Sequence, residues 1–381
     1  MMIALATLSL ALGQQTKISY DMPIGASLSL HERVLAVKKH LAAKDFKKAA
    51  ILAKRLPSGT ITYSISKKNL RNDNMDDLMN AIDNAASAWG RILKGQLSIT
   101  EAKPGVEATI KFSFEPVLAK RAGSSIPAGS AVFESVEPTP SVEGVFGLKR
   151  GPKLQASTPL DIFNEALFTF GTYLGLAPEA SQGAAMGRLD LPMSAKSAII
   201  PVYIDSVKTM LSLCKNLREA AAKNIVVEPT QSKLAIDTKE MVFPTTFQGD
   251  FSDARALVSN VGNGTLLARA AGDCTCIAGT IQSSLGPNNS TMLMGKYNTA
   301  ELAGHVQHNI VLRTNDPDRP LIIIPAKIEV KPRVEVVYPY TNTYYVDPEN
   351  PIFTMFIHSF DTTPEFEDAQ VIGVEGTATV V

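Results

Sequence analysis

The sequence predicts a multidomain chain with a helical hairpin near its N-terminus, an α+β domain after it and an all-β sandwich in its second half. Three observations predict this organisation. The chain has 381 residues, enough for two to three domains at roughly 150 residues each. Up to residue 223, helical spacing of apolar residues is interleaved with strand-like alternation. From residue 226 onward, only short alternating runs separated by Gly, Asn and Pro turns remain.

Composition excludes several classes of partner. Lys plus Arg number 37 and Asp plus Glu number 37, so the net charge is zero and gives no global attraction to nucleic acid or to an anionic membrane. No apolar stretch reaches the roughly 18 residues of a membrane span. Five His and three Cys provide few nitrogen and sulfur ligands for a metal site. We therefore expect no metal, no cofactor, no nucleic-acid partner and no membrane span.

The first thirteen residues are typical of an export signal. Residues 1–13 form an apolar run ending in small residues, with Ala11 and Gly13 placed as at a signal-peptidase site. The run lacks the usual positive charge before its apolar part, and the alternative is a buried N-terminal strand or helix. A cleaved signal would start the mature chain near Gln14 and place it in the periplasm, at the cell surface or outside the cell.

Residues 27–56 are predicted to form a helical hairpin that breaks near Lys44. The stretch LAAKDFKKAAILAKRLP resembles one helical unit of a tetratricopeptide-type repeat, and a single unit must pack on a neighbour. Eight Lys and Arg residues lie between Arg33 and Arg55. We interpret them as a solvated face, with a membrane surface or an acidic partner as the alternative.

The α+β domain is predicted to span residues 57–223. We expect strands at Thr60–Ile65 and Ala108–Phe114, and helices at residues 73–94, from Pro159 to Leu174, and at residues 203–223. Thr158 and Asp161 are predicted to form a capping box at the start of the helix after Pro159, and Gly175 to end it. The Gly-, Pro- and Ser-rich residues 120–157 are predicted to be a long irregular stretch.

Two acidic residues on the helix after Pro159 are candidate metal ligands. Asp161 and Glu165 lie four residues apart, in its first two turns. We interpret them as interacting with the helix dipole and with solvent, because two carboxylates without further donors do not make a site.

The segment from Pro57 to Arg218 resembles a matrixin-type (metzincin) zinc metalloprotease domain. The resemblance rests on the strand and helix PSGTITYSISKK…LMNAIDNAASAW, the strand ATIKFSF, and FTFGTYLGLAP with a later methionine. The residues on structural positions of the family motif are Trp89, Gly171, Leu174, Gly175, Leu176 and Met186.

The chemical positions of that motif are altered. The resemblance places Phe168, Thr172 and Pro178 where the family has its three zinc histidines, and Thr169 where it has the general-base Glu. Zinc catalysis requires three ligands and a carboxylate that activates water. All five histidines fall outside residues 41–304. The resemblance therefore implies a pseudoenzyme, without metal or catalytic residues.

Residues 226–331 resemble a bacterial immunoglobulin-like family of unknown function, related to Hydin-like modules. The resemblance rests on LVSNVGNGTLLARAAGDCTC and GHVQHNIVLRTNDPDRPLIIIPAKIEV. Strands are expected at residues 226–228, 254–260, 291–297, 306–313 and 321–330, and the turn Val261–Gly264 is expected to adopt positive φ. Residues 332–381 are predicted to be a partial or second β domain.

Three readings of Cys274 and Cys276 stay open at this point: a soft-metal chelate, a local disulfide, or two reduced thiols in the sandwich core. Burial or a disulfide is favoured over metal or redox chemistry. His305 and His308 are three apart on a predicted strand, so their side chains should lie on opposite faces. Cys214 is predicted to be a core residue.

The sequence favours an exported, non-catalytic protein that binds a protein or peptide or acts as a scaffold. A retained substrate cleft would accept an extended peptide at the sheet edge, with residues 108–114 near that edge and residues 123–133 beside it. The alternatives are a divergent zinc metallopeptidase and a purely structural cell-surface spacer. Side chains from residues 120–157 filling the cleft would favour the spacer.

Overall fold

The computed structural model describes residues 20–120, 127–136, 139–178, 185–187, 195–337 and 356–359. Within these residues the chain is α+β, with five helices and nineteen strands. Helices and a mixed sheet form the first part, and the second part is built from strands. The predicted signal segment, residues 1–13, lies outside the described residues.

The N-terminal hairpin consists of helices α1 (Leu28–Ala42) and α2 (Phe46–Ala53). The Ser27 and Asp45 side chains cap them by accepting hydrogen bonds from the backbone N–H groups of Leu30 and Lys48. The hairpin packs, as expected, on the domain that follows. Its apolar side chains belong to one core with those of that domain, including helix α5 (Pro201–Ala222).

The prediction of a wholly solvated basic face is wrong at two positions. Lys38 is only 2% exposed, and its ammonium donates to the carbonyl oxygen of Thr230 at 3.4 Å. Burial lowers the pKa of Lys38, with the charge of Asp21 acting against that effect. Arg33 pairs with Glu134 at 2.6 Å. The face is partly covered because α1 packs against other parts of the fold.

The first part of the chain contains a five-stranded sheet. Its strands are β1 (Thr60–Ile65), β2 (Ser98–Glu101), β3 (Ile110–Glu115), β4 (Ser130–Ser135) and β5 (Ser141–Gly147), in the order β2-β1-β3-β5-β4. Strands β1, β2, β3 and β5 are parallel, whereas β4 runs antiparallel to β5. Helices α3 (Met75–Ile92) and α4 (Pro159–Tyr173) pack on one another, and the core includes side chains of both helices and of the sheet.

The described part of residues 120–157 is not the long irregular stretch that composition predicted. It contains β4, β5 and a small hairpin of β6 (Lys149–Arg150) and β7 (Gln155–Ala156). Gly and Ser residues weaken the alternation of apolar and polar side chains in these short strands. Their order comes from pairing with neighbours distant in sequence, such as β3 with β5, and local composition does not report such pairing.

The predicted position of residues 108–114 near the sheet edge is also wrong. Strand β3 lies in the middle of the sheet, between β1 and β5, and two of its aromatic residues, Phe112 and Phe114, are buried. The edge on this side is β4, at residues 130–135. Residues 121–126, within the segment predicted to lie beside the edge, are outside the described residues.

The local signals of helix α4 are confirmed. Thr158 and Asp161 form the reciprocal capping box, and Pro159 is the first helical residue. Gly175 follows the helix with φ +89°, the left-handed conformation that glycine adopts without strain. Gly95 adopts φ +83° after α3 in the same way.

The second part of the chain contains two sheets around a common core. Its strands are β8 (Leu234–Ile236), β9 (Met241–Val242), β10 (Thr246–Phe247), β11 (Phe251–Asn260), β12 (Leu266–Gly272), β13 (Ile277–Thr280), β14 (Ser284–Leu285), β15 (Ser290–Asn298), β16 (Gly304–Thr314) and β17 (Leu321–Lys331). One sheet has the order β10-β17-β16-β12-β14, with β9 also on β17, and the other has the order β13-β15-β11-β8. Side chains from both sheets form the core.

Four of the five strands predicted in this region are present, and the strand predicted at residues 226–228 is not. Val227 packs instead into the core of the first part of the chain, while Val226 is exposed. These residues lie within a connection between α5 and β8. Pro229 follows directly, and proline supplies no N–H for a strand ladder.

The turn at residues 261–264 does not use positive φ, contrary to prediction. Its glycines serve close backbone approach. A Cβ atom on Gly262 would lie 2.5 Å from the carbonyl oxygen of Gln231, and one on Gly264 would lie 2.9 Å from that residue's backbone. Asn263 completes the contact by accepting a hydrogen bond from the Gln231 N–H at 2.9 Å.

Beyond residue 331, strand β18 (Val334–Val337) pairs antiparallel with β19 (Phe356–Ser359). Residues 338–355 and 360–381 of the predicted β segment lie outside the described residues. None of the helices in the described ranges has the combined length and apolar character that crossing a bilayer requires.

Candidate functional site

The four residues that the resemblance places on the chemical positions of the motif differ in exposure. Thr169 is fully buried, and its hydroxyl donates to the carbonyl oxygen of Glu165 at 2.8 Å. Phe168 and Thr172 are half-buried, and the Thr172 hydroxyl donates to the Phe168 carbonyl at 3.0 Å. Pro178 is exposed. Both threonine hydroxyls are thus engaged with the helix backbone, and these four side chains supply neither a carboxylate base nor the nitrogen and sulfur ligands that zinc prefers.

Thr169 has a packing role. A Cβ atom on Gly144 of β5 would lie 3.0 Å from the methyl group and from the hydroxyl of Thr169, and 3.2 Å from the Phe112 ring. Helix α4 therefore approaches β5 closely at the position where the resemblance expects a general base. The side chain there fills the contact between helix and sheet.

The six structural motif residues are all buried, and they surround α4. The indole N–H of Trp89 donates to the carbonyl oxygen of Leu167 at 3.1 Å, which ties α3 to α4. A Cβ atom on Gly171 would overlap the sulfur of Met186, so this glycine lets the methionine pack against the helix. Gly175 meets Leu30 of α1 in the same close way. The remaining residues of the set are Leu174 and Leu176.

A buried ionic cluster lies at the N-terminal end of α4. Arg150, in β6, is fully buried, and its Nη1 atom lies 2.7 Å from Glu165 Oε1 and 3.6 Å from Asp161 Oδ1. Its Nε atom donates to the Ser157 hydroxyl at 2.8 Å, which in turn donates to the Gly147 carbonyl at 2.6 Å. We call Arg150, Asp161 and Glu165 the ionic cluster.

The ionic cluster corrects the prediction that Asp161 and Glu165 face solvent. Both carboxylates are at most 1% exposed, because the first two turns of α4 face β6. Asp161 still serves as the acidic residue of the capping box, in which its carboxylate accepts a hydrogen bond from the Thr158 N–H at 2.8 Å. Sequence reasoning missed Arg150, which nothing in its surroundings, Leu-Lys-Arg-Gly-Pro, marks as buried. The available signal was the spacing of Asp161 and Glu165, the only charged residues of a mostly apolar helix.

Strand β4 forms one edge of the five-stranded sheet. It pairs with β5, and within the described residues no other strand pairs with it. Phe133 on this strand is 58% exposed, and Ser135 at its end is also exposed. A groove of about 620 Å³ opens at that end, beside the last turn of α4. Its lining includes Lys54, Thr109, Ser135, Ser141, Tyr173 and Arg218.

Cys274 and Cys276 form a disulfide, with their Cα atoms 5.3 Å apart. The sequence left three interpretations of these cysteines open, and the structure has the local disulfide. Both residues are half-buried at the margin of the sandwich core. Cys214 is a free, buried thiol in α5, as predicted, and burial raises its pKa to about 11.

The two histidines of β16 have different environments. His305 is exposed. His308 is half-buried, with Nδ1 3.4 Å from Asp273 Oδ1 and its ring centroid 6.3 Å from that of Tyr297. One ring nitrogen of His308 and the sulfurs of Cys274 and Cys276 all lie within 4.8 Å of one another. The two histidines thus differ in exposure, and His308 lies next to the disulfide.

The contact between α1 and the second part of the chain is polar and buried. The His31 ring nitrogens lie 3.1 Å from the Ser27 carbonyl and 3.0 Å from the Asn315 carbonyl. Asn315 also donates to the Met22 carbonyl at 2.9 Å. A cavity of about 220 Å³ adjoins these residues. These contacts fasten α1 to the loop after β16.

No protein-family model and no curated protein matches the chain. Solved structures that resemble part of it include a protein of unknown function from Porphyromonas gingivalis W83, at 21% identity and a TM-score of 0.24, covering 26% of this chain and 47% of that one. Others are PapD-like domain 7 of human CEP192 (12% identity, 26% and 86% coverage, TM-score 0.23) and the periplasmic chaperone SfaE (10% identity, 31% and 61% coverage, TM-score 0.21).

Proposed function

We propose that this chain is an exported, non-catalytic protein that binds an extended peptide segment of a partner along strand β4. The first part of the chain would be a degenerate matrixin-like domain, and the second part an immunoglobulin-like module acting as scaffold. The observation that carries the proposal is the edge position of β4 beside α4, the helix whose motif positions lack metal ligands. The N-terminal apolar segment and the Cys274–Cys276 disulfide support export, since disulfides persist in oxidising compartments.

The non-catalytic reading is supported by the side chains of α4. Thr169 packs against Gly144, and Phe168 and Thr172 carry no group able to activate water. The close packing of Gly171 on Met186 and of Trp89 on Leu167 supports a matrixin-like architecture. The first part of the chain would thus keep a protease-like scaffold without its zinc ligands and general base.

The peptide-binding reading is supported by the character of β4. An edge strand presents N–H and C=O groups that an added strand can pair with. Phe133 supplies an exposed aromatic side chain, the residue type that anchors many protein interfaces. The occupant we propose is an extended peptide with apolar side chains at alternate positions, one of them packing on Phe133.

A peptide-display selection against the purified protein tests the proposal. We expect extended peptides with alternating apolar residues, and a loss of affinity of tenfold or more in the Phe133→Glu variant. Phe251→Glu is the matched control, because Phe251 is an aromatic residue with nearly the same exposure, 59%, and lies on β11 in the second part of the chain. Selection of no peptide, or equal binding by both variants, would contradict the proposal.

The structural-spacer reading has one observation in its favour. Arg150, within residues 120–157, fills the space beside the first turns of α4. A spacer needs no exposed anchor, so Phe133→Glu would then leave every interaction of the protein unchanged. For the metallopeptidase alternative, the assay is cleavage of a mixed protein substrate with and without chelator, and chelator-sensitive cleavage would refute the non-catalytic reading.

A further inference from the structure

Three potential metal-binding side chains meet at one end of the β-sandwich. The sulfurs of Cys274 and Cys276 and a ring nitrogen of His308 all lie within 4.8 Å of one another. The cysteines precede β13, and His308 comes from β16. The backbone N–H of Cys276 donates to the Cys274 sulfur at 3.2 Å, so the two sulfurs are held in a tight local turn.

We propose that reducing the Cys274–Cys276 disulfide creates a zinc-binding site formed by both thiolates and the imidazole of His308. In the oxidised protein the two sulfurs are bonded to each other and cannot both act as thiolate ligands. The site is therefore available in one redox state only. This inference does not depend on peptide binding at β4.

The redox step is a thiol–disulfide exchange with a dithiol reductant, such as a thiol–disulfide oxidoreductase of the export compartment. One thiolate of the reductant attacks a sulfur of the disulfide, and the S–S bond breaks to give a mixed disulfide. The reductant's second thiol resolves it, so the reductant is oxidised and Cys274 and Cys276 gain two electrons and two protons. Binding Zn²⁺ then releases the two thiol protons to solvent.

The distances suit zinc. Zinc–sulfur bonds of about 2.3 Å in a tetrahedron place two thiolates about 3.8 Å apart, a separation that two sulfurs reach once their bond is broken. The three donors already lie within 4.8 Å, so modest side-chain rotation brings them to coordination distance. Two thiolates and one imidazole select zinc over magnesium or calcium, which prefer oxygen ligands.

Asp273 provides the support that a ligating histidine usually has. Its Oδ1 atom lies 3.4 Å from His308 Nδ1, and its Oδ2 atom accepts from the Asn309 amide at 2.7 Å. The Asp273 N–H donates to the Asn309 carbonyl at 3.0 Å, which fixes the loop against β16. A carboxylate so placed orients the imidazole.

The test uses the full chain, reduced with a phosphine and titrated with Zn²⁺, and in parallel with Co²⁺ as a spectroscopic probe. We expect one ion per reduced chain and thiolate-to-cobalt charge-transfer absorption, neither of which the oxidised protein shows. Cys276→Ser and His308→Ala should weaken zinc binding at least 100-fold, and Asp273→Asn should weaken it about 10- to 100-fold. His305→Ala, on the same strand but exposed, is the matched control and should bind as the wild type does.

The wild-type cobalt spectrum decides the question even if a variant fails to fold. A reduced protein that binds no Zn²⁺, or whose Co²⁺ complex lacks thiolate bands, overturns the proposal. So does zinc binding that a folded His308→Ala variant retains in full. Cys214 does not confuse the result, because it lies buried in the other core and its thiol pKa is raised by burial.

Discussion

The substitution Arg150→Met removes the guanidinium that lies 2.7 Å from Glu165 and 3.6 Å from Asp161. Methionine retains much of the side-chain volume, so the main change is electrostatic: two carboxylates with at most 1% exposure remain without that cation. Removing one partner of a buried ion pair costs about 3–5 kcal/mol. We therefore expect the free energy of unfolding to fall by about that amount.

Urea denaturation followed by fluorescence measures this loss, because Trp89 is the single tryptophan and packs against α4. At a slope of about 2 kcal/mol per molar urea, the midpoint should fall by about 1.5–2.5 M. Lys149→Met is the control, since Lys149 is exposed on the same strand and should stay within about 0.5 kcal/mol of wild type. The double variant Arg150→Met/Glu165→Gln should recover part of the loss. A decrease below about 1 kcal/mol in the single variant would refute the buried-charge reasoning.

Three further outcomes follow from the structure. Burial lowers the pKa of His31, and this effect outweighs the hydrogen bonds to the Ser27 and Asn315 carbonyls and the charge of Asp316, which raise it. The unfolded state therefore binds more protons than the folded state below about pH 6.5. Stability should thus decrease as the pH falls through that value, and an unchanged pH dependence in His31→Gln, measured by urea titration, would contradict this. Cys214 should resist a thiol reagent until the protein unfolds, because it is buried and its pKa is raised to about 11; rapid labelling of the native protein would refute this. In thermal denaturation, Gly171→Ala should lower the free energy of unfolding by about 1–3 kcal/mol, because the added methyl group overlaps Met186. Gly90→Ala should raise it by about 0.5–1 kcal/mol, because Gly90 lies within α3 with open space around it. Equal effects of the two substitutions would contradict the packing argument.

The elements predicted well are those whose signals are local. The capping box of Thr158 and Asp161, the stop at Gly175 and the apolar spacing of α1 each involve residues within a few turns of one another. Such signals arise from backbone donors and acceptors that must be satisfied nearby. They needed no knowledge of the tertiary fold, and the structure contains each of them.

The elements predicted poorly depend on distant partners. Strand β5 is ordered by β3, more than twenty residues earlier, and its Gly144 packs closely against Thr169 of α4. The burial of Arg150 depends likewise on two carboxylates that follow it in another element. The Gly and Ser content of residues 120–157 indicated an irregular segment, and composition alone did not indicate the strands that form there. His308 shows the same limitation, because its proximity to the disulfide follows from the sheet pairing.

Under the proposed matrixin-like relationship, the packing of α4 bears on whether this domain could support catalysis. Phe168 and Thr172 are only half-buried, so substitutions there change chemistry with little effect on the core. Thr169 is different, because it fills the contact with Gly144, and a glutamate in its place would bring a longer, charged side chain against β5. Burying such a charge without a partner is costly. Under the proposed relationship, introducing zinc ligands at residues 168, 172 and 178 alone would therefore not create a catalytic site, because α4 packs on the sheet where a general base would need both space and water.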